Sequence, residues 1–391
     1  HADEPAPATS NHIVHLVPSP DQSDILTYHK ADVPEPSGPT MDLTATNIVI
    51  ATGAKPRPLP GNPFAGALID STQALEVNEF PSSAVIIGAG AIALEFASMW
   101  NAAGSKVTLL IRKDRVLSAW DRRAGTTLTR ELKRHGVNII TRASVTHVDT
   151  GANLGATVHY TCEGQDGEQS VWGEIALVAI GRDPITDPAW GVTIDDHGHV
   201  ATDAYGRTDK PGVWESDPFV KLIPLWAVGD VTAGHALAHR AFEQGIVIAE
   251  TIAGLNPKPV DEATVPQIVF SFPEAASVGL TVEQAQARED LIEIKETNYP
   301  MLANARMLMS GTAGSLTIVS GCDAANPDTP RVLGVHMVSQ MASDIIAEAE
   351  QLVGNHVPLA DAARLVHPHP TFSETLGEAL LKADGRPLHT R

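Results

Sequence analysis

Cysteine is nearly absent from this 391-residue chain, which holds only Cys162 and Cys322, far apart in sequence. That spacing excludes a CxxC motif, a cysteine-based zinc cluster and a disulfide framework, and it points to a reducing, cytoplasmic setting. Positive charge is also scarce, with 27 Lys and Arg against 47 Asp and Glu and a formal net charge of −20. A phosphate backbone or an anionic bilayer demands a basic footprint, so neither nucleic acid nor a membrane is an expected partner, although a local basic site is still allowed. No apolar run approaches the roughly 20 residues that a helical membrane span requires. The N-terminus lacks a basic stretch followed by an apolar core, and the chain starts at His1 rather than Met, which points to a missing front and leaves targeting unread.

What is present is 43% hydrophobic and 19% charged, the balance of a globular chain long enough for two or three domains. The first 45 residues are rich in Pro, Ser, Asp and Thr, with short alternating stretches at 12–17 and 24–28 that read as edge strands of a small antiparallel sheet. A buried-strand run at 47–53 stops at Gly53, and the proline-rich 55–61 is a stiff connector. From 84 onward strands and helices alternate, with strand 84–87, helix 91–103, strand 106–111, helix 123–135 and strand 137–140. That alternation predicts a parallel sheet wound with helices. Further strands are expected at 192–203 and 225–230, followed by a helix over 236–253. Beyond 265 the pattern changes to strands 267–271, 315–319 and 331–338 with helices near 341–353 and 358–365, segregated as in an α+β domain. The expected fold class is therefore α/β: a Rossmann-like nucleotide-binding domain (71–190), a remnant of a second domain in two pieces (1–70 and 191–260), and a C-terminal α+β domain (261–391).

The run Gly88-Ala89-Gly90-Ala91-Ile92-Ala93 follows one strand and opens a helix, the context a dinucleotide-binding turn requires. Gly88 permits the tight turn, Gly90 lets backbone approach a pyrophosphate, and the small Ala93 lets helix and strand pack closely. A glycine-rich turn with no ligand is the competing reading. At the end of the second strand the first side chain is Arg112, in Arg112-Lys113-Asp114-Arg115. A guanidinium there favours NADP, because it can grip a 2′-phosphate, while Asp114 leaves NAD open. Near the C-terminus, 367–374 reads HPHPTFSE, which sets His369 and Glu374 five apart in a stretch too rich in proline for one regular helix. An imidazole oriented by a carboxylate is a proton-transfer device near neutral pH. A metal site at His367 and His369 is not expected, since no third ligand accompanies them, and no other metal motif is read from the sequence.

Taken together, Ala51-Thr52-Gly53, GAGAIALE at 88–95, Ala179-Ile180-Gly181-Arg182, Ala227-Val228-Gly229-Asp230, FPEAASVGL at 272–280 and HPHPTFSE cover nearly the whole chain in one order. In that order the chain resembles the flavin-dependent pyridine nucleotide-disulfide oxidoreductases, and within them most of all the dihydrolipoamide dehydrogenase group. The resemblance implies an enzyme using FAD and NAD or NADP, with Thr52, Gly53, Gly229 and Asp230 at the flavin and Asp230 on its ribityl hydroxyls. It places Glu95 near the nicotinamide and Gly181 with Arg182 at the cofactor cleft. It makes His369, held by Glu374, the base that takes a proton from a dithiol of the other subunit of a homodimer, and lipoyl carrier protein a candidate substrate.

The likeness departs at two elements. The family opens with a strand, a second GxGxxG turn for the FAD pyrophosphate and a helix carrying a CxxxxC disulfide, and none of these occurs in the 391 residues. A stretch at 215–225 also reads as inserted before the Ala-Val-Gly-Asp segment. The expectations are that this chain by itself lacks disulfide turnover and holds FAD poorly, through an incomplete site. A glutathione- or mercuric-reductase-like NADPH enzyme and a non-catalytic dimeric dinucleotide-binding scaffold are the alternatives.

Overall fold

A computed structural model describes residues 14–16, 41–43, 45–151, 155–209 and 223–390. The expected strand at 24–28, and the inserted stretch as far as residue 222, lie outside the described residues. The chain divides into two compact units, one formed by 1–55 and 182–260, the other by 56–181 and 261–391.

In the first unit, strand Ile48–Ile50 pairs in parallel with strand Leu225–Ala227, and Val14–Leu16 pairs antiparallel with Met41–Leu43. Ile50, Val192, Val200, Leu225, Ala227 and Val231 form its small core. The strands expected at 192–203 are not continuous: only isolated bridges such as Ile194 to Val200 form. Asp195 there accepts hydrogen bonds from the amides of His197 and His199, and Gly198 sits at φ +88°, so the apolar residues lie in a tight turn. Helix Ala238–Ile252 ends this unit's regular structure.

The second unit is built on a five-stranded sheet ordered Leu68–Ile69, Ile175–Val178, Ser83–Ile87, Lys106–Leu110 and Asn138–Ile140, with every neighbour parallel. Both faces of its central strand are buried, which is why 84–87 reads as an unbroken apolar run. Ala84 and Ile86 join the core beneath helices Ala91–Ala102 and Arg122–Arg134. Val85 and Ile87 face elsewhere, into a core shared with Ala156, Val158 and Tyr160. The second face is thus covered by an antiparallel sheet of strands Ala143–Asp149, Ala156–Cys162 and Gln169–Gly173, rather than by helices on both sides. Helix Arg122–Arg134 starts at Asp121, buried to 2% exposure, whose carboxylate accepts from the Ala124 amide at 2.8 Å. Lys133 and Arg134 in its last turn complement the helix dipole.

The same unit carries an antiparallel sheet ordered Gln267–Val269, Glu274–Gly279, Asn326–Ser339, Ser315–Asp323 and Leu291–Pro300, of which Glu274–Gly279 and Leu291–Pro300 have no counterpart in the sequence expectations. Helices Ala342–Gly354 and Glu374–Ala383 pack on it through Ile345, Ile346, Leu376 and Leu380. The helix expected over 358–365 shortens to Leu359–Ala362. The chain between that turn and the last helix is pinned by His367, whose Nε2 lies 2.9 Å from Glu348 Oε1 on helix Ala342–Gly354. A Cβ on Gly377 would fall 2.4 Å from His367 Nδ1, so the ring is seated against a bare backbone. The hydrogen bond to Glu348 holds the His367 imidazole above its ordinary value of 6.5, against an opposing effect of burial.

A raised folded-state value means that the native state keeps a proton the unfolded chain releases, so this pair stabilises fully below the ordinary value and the gain is lost as pH rises through the folded one. Melting temperatures taken across the neutral range are expected to fall with rising pH, and to fall less in His367→Gln. Identical slopes for the two proteins would exclude the pair as the source. Asp121→Ala is expected to cost about 1–2 kcal/mol for the lost cap, read as a lower urea midpoint.

Candidate functional site

The glycine turn forms as its sequence requires. Gly88 has φ +143°, and a Cβ there would meet the Ala179 carbonyl oxygen at 2.1 Å. Gly90, the N-cap of helix Ala91–Ala102, has open space where a Cβ would stand, and that helix has neither a side-chain cap nor an acidic residue in its first turn. Its leading N–H groups therefore face outward as donors. Ala93 is fully buried against the sheet. These residues fit a dinucleotide pyrophosphate: bare backbone, room at Gly90, and an uncompensated positive helix end.

Arg112 lies exposed just past strand Lys106–Leu110. Asp114, the alternative ribose partner, has its carboxylate 3.1 Å from the guanidinium of Arg115. Glu95, which the resemblance sets near the nicotinamide, accepts the Phe270 amide through its carboxylate at 3.0 Å, while Ser98 Oγ accepts that of Phe272 at 2.8 Å. One face of the helix thereby clasps the edge of the C-terminal sheet. Gly181 has φ +131°, and its carbonyl accepts from the Arg57 amide at 3.0 Å. Arg182 donates to the Ala54 carbonyl.

In the first unit, Ala51, Gly53, Gly229 and Asp230 border an open cavity of about 650 Å³, roofed by Phe242, Gly245 and Ile246 of helix Ala238–Ile252. Thr52 Oγ1 donates to the Ile185 carbonyl at 2.6 Å, and Gly53 stands at φ +69°. Asp230 lies half-buried in a single 3-10 turn, Gly229–Val231. Two residues that sequence reasoning missed hold this turn. Gln244 Oε1 accepts the Gly229 amide at 2.9 Å, and Arg240, only 3% exposed, donates to the Thr232 hydroxyl at 3.4 Å and to the Ala233 carbonyl. Their i,i+4 spacing on one helix face was the available signal. Asp230 and the uncapped helix start suit the hydroxyls and ring side of a flavin, whereas the only strand–glycine-turn–helix among the described residues is the one at Gly88.

The C-terminal dyad is formed. His369 Nδ1 lies 2.7 Å from Glu374 Oε1, and Glu374 Oε2 accepts the Thr371 amide at 2.7 Å. Burial alone would raise the Glu374 carboxyl, but the Thr371 amide and the His369 ring hold it below the ordinary carboxylate value. With the carboxylate on Nδ1, the hydrogen sits there and the Nε2 lone pair is left as proton acceptor. The His369 side chain is 73% exposed while Glu374 is 19% exposed, so the imidazole is held from behind and open in front. Asn304 Nδ2 steadies the same loop by donating to the Thr371 carbonyl at 3.0 Å.

Known proteins match this chain over most of its length. A family model described as pyridine nucleotide-disulphide oxidoreductase matches residues 19–245, and that family's dimerisation domain matches residues 265–380. The chain is 36% identical over 353 residues to a dihydrolipoyl dehydrogenase of Cupriavidus necator and 37% identical over 350 residues to one of Bacillus subtilis, covering in each case 89% of this chain and 70% of the relative. Among solved structures it is similar to LpdA from Mycobacterium tuberculosis, with a TM-score of 0.75 and 26% identity over 88% of this chain and 71% of that one. It is also similar to the HOCl-induced flavoprotein disulfide reductase RclA from Escherichia coli, with a TM-score of 0.73 and 26% identity over 87% of this chain and 74% of that one. This chain belongs to the pyridine nucleotide-disulphide oxidoreductase family, whose members are enzymes.

Proposed function

We propose that the chain is the greater part of an NAD(P)-linked, FAD-dependent oxidoreductase of the dihydrolipoamide dehydrogenase type, which oxidises a dithiol with His369 as the base, in a reducing cytoplasm and as a homodimer. The observation that carries this reading is the 2.7 Å contact of His369 with Glu374, in a loop pinned by a second imidazole–carboxylate pair at His367. Flavin and nicotinamide, when bound, supply the hydride chemistry. The protein's own part is to hold and move the proton: Glu374 fixes the His369 ring, and Nε2 takes a proton from a thiol, leaving the electron pair on sulfur as a thiolate and the ring as imidazolium. The residues proposed to hold the flavin are Thr52, Gly53, Gly229 and Asp230, drawn from the two stretches 1–70 and 191–260. Gly88, Gly90, Ala93, Glu95, Arg112, Gly181 and Arg182 are proposed for the dinucleotide. Glu95 acts there through its clasp on the Phe270 amide, as a positioning residue.

The dithiol that His369 would serve is not Cys162 with Cys322. Both are buried, the first among Val158 and Tyr160 and the second in strand Ser315–Asp323. Burial, ahead of nearby acidic groups, pushes the Cys322 thiol up and disfavours its thiolate. One observation favours an NADPH-using disulfide reductase as a second reading: Asp114 is turned to Arg115 while Arg112 stands exposed at the strand end.

Calorimetry on the 391-residue chain is expected to show tighter binding of NADPH than of NADH, and Arg112→Ala is expected to weaken NADPH about tenfold or more, the worth of one charge-assisted contact. Tighter NADH, or NADPH affinity unchanged by the substitution, would instead assign the site to NAD. Gly90→Ala is expected to remove binding of both dinucleotides while the chain stays folded, since its Cβ enters open space. The 391 residues alone are expected to show no lipoamide or glutathione disulfide turnover above a heat-killed control and to purify with substoichiometric flavin. In the gene product that pairs His369 with its dithiol, His369→Gln is expected to lower dithiol oxidation about 10²–10⁴-fold. Activity retained within a few-fold would remove His369 as the base.

A further inference from the structure

We propose a surface site for a borderline divalent transition cation, with Zn²⁺ as the probe, formed by His147, Asp149 and His159 on the outer face of the antiparallel sheet. No spacing motif announces it, because strand pairing brings the ligands together. His147 and Asp149 are two apart on strand Ala143–Asp149, and His159 on strand Ala156–Cys162 is the cross-strand partner of His147. A bulge makes the arrangement. Tyr160 pairs with Val145 and His159 pairs with His147, so Thr146 is an extra residue on the first strand. The insertion reverses the alternation: Val145 and Val148 both turn to the core, and His147 and Asp149 point outward beside His159.

The geometry is that of ligands waiting to converge. The His147 and His159 rings stack with centroids 4.1 Å apart and an interplanar angle of 7°. Asp149 Oδ2 lies 3.0 Å from His159 Nε2 and 3.9 Å from His147 Nε2, and the ligand atoms of the three residues all fall within 4.8 Å of one another. On the other side of the rings, Glu168 lies 3.8 Å from His147 Nδ1 and 3.7 Å from His159 Nδ1. Without a cation, His159 Nε2 donates to Asp149 Oδ2; a cation taking Nε2 displaces that hydrogen, and Glu168, facing both Nδ1 atoms, is placed to hold the ring hydrogen there instead. Thr146 Oγ1 holds Glu168 in turn, at 2.6 Å.

Two imidazole nitrogens and one carboxylate oxygen suit Zn²⁺, Cu²⁺ or Ni²⁺ better than Ca²⁺ or Mg²⁺, with water completing the shell. Bond lengths of about 2.1 Å in a tetrahedron put ligand atoms about 3.4 Å apart, so the Asp149–His159 contact must open by about 0.4 Å and the Asp149–His147 contact close by about 0.5 Å. A cation lies in the plane of each ring that binds it, so one ring of the stacked pair must turn. His147, with 46% of its side chain exposed against 22% for His159, is the ring with room to do so. Binding would clip two strands across the bulge that set the ligands in place.

Equilibrium titration of the reduced, full chain with Zn²⁺ is expected to show a saturable equivalent that is lost in the double variant His147→Ala, His159→Ala and weakened at least tenfold in Asp149→Asn. Zn²⁺ is expected to raise the melting temperature of the wild type and of Cys162→Ser, but not of the double variant. Circular dichroism of the variants without metal checks that these surface changes leave the sheet formed, and Asp149→Asn serves as the readout if the double variant does not fold. Equal stoichiometry and affinity in the wild type and in the variants would assign the binding to other histidines and overturn the proposal, as would the absence of any saturable binding.

Discussion

The close approach of Gly88 to the Ala179 carbonyl is the constraint on which the rest of the nucleotide-binding architecture rests. Strands Ser83–Ile87 and Ile175–Val178 run side by side in parallel, and the Ala179 amide extends the ladder by donating to the Ile87 carbonyl at 2.8 Å. The two chain ends leave the sheet together, and a side chain at 88 would occupy the space of that carbonyl. Only glycine meets both the contact and a φ of +143°. Two segments separated by ninety residues of sequence, the glycine turn and the stretch through Gly181, are thereby locked to one edge by backbone contact. Helix Ala91–Ala102 can then start at Gly90 with its N–H groups aimed outward, and its opposite face is free to hold Phe270 and Phe272 through Glu95 and Ser98.

Much of this was legible because it is local. The apolar run of the central strand, the glycine turn and the helix after it follow from residues within a few positions of one another, and so does the dyad, whose members stand five apart. The parts that sequence reasoning missed depend on distant partners. The sheet over the second face alternates visibly at Ala156, Val158, Tyr160 and Cys162, yet nothing local says that it takes the place of a helix layer, and the extra residue at Thr146 breaks the period of its neighbour. The tie between Glu95 and the Phe270 amide joins residues far apart along the chain, so no local pattern announces it. His367 could be weighed in the sequence only as a poor metal ligand, because its partner Glu348 lies on another helix. The reading of 192–203 as strand failed for a local reason: apolar residues at Val192, Ile194 and Val200 carry no sign that the Asp195 turn between them closes on itself.

The two histidines of the C-terminal loop divide the work by exposure. His367 is enclosed, with 9% of its side chain exposed, and its charge pair with Glu348 fastens the loop to helix Ala342–Gly354. His369 is carried on that fastened loop but left open, with the Glu374 carboxylate behind it. The proposed role of His369 as a base fits this exposure, since a ring oriented at Nδ1 and open at Nε2 can meet a group from outside its own loop. The half-buried carboxylate of Glu374, accepting from the Thr371 amide and facing the His369 ring, is held in its charged form beside that imidazole.

The distribution of acid along a chain of net charge −20 adds an independent argument for where anions belong. Among the described residues five helices reach ten residues or more. Arg122–Arg134 begins at the Asp121 cap, Ala342–Gly354 has Asp344 in its first turn, and Glu374–Ala383 opens on Glu374. In these three an acidic side chain already answers the positive end of the dipole. Ala91–Ala102 and Ala238–Ile252 have neither a side-chain cap nor an acid in the first turn. They are the two helices that follow the glycine turn and the Asp230 turn. Orphan N–H groups at a helix start cost stability unless something accepts from them. In a chain with acid to spare, the start at Gly90 carries no acid of its own to answer the dipole, which is what the proposed pyrophosphate site needs.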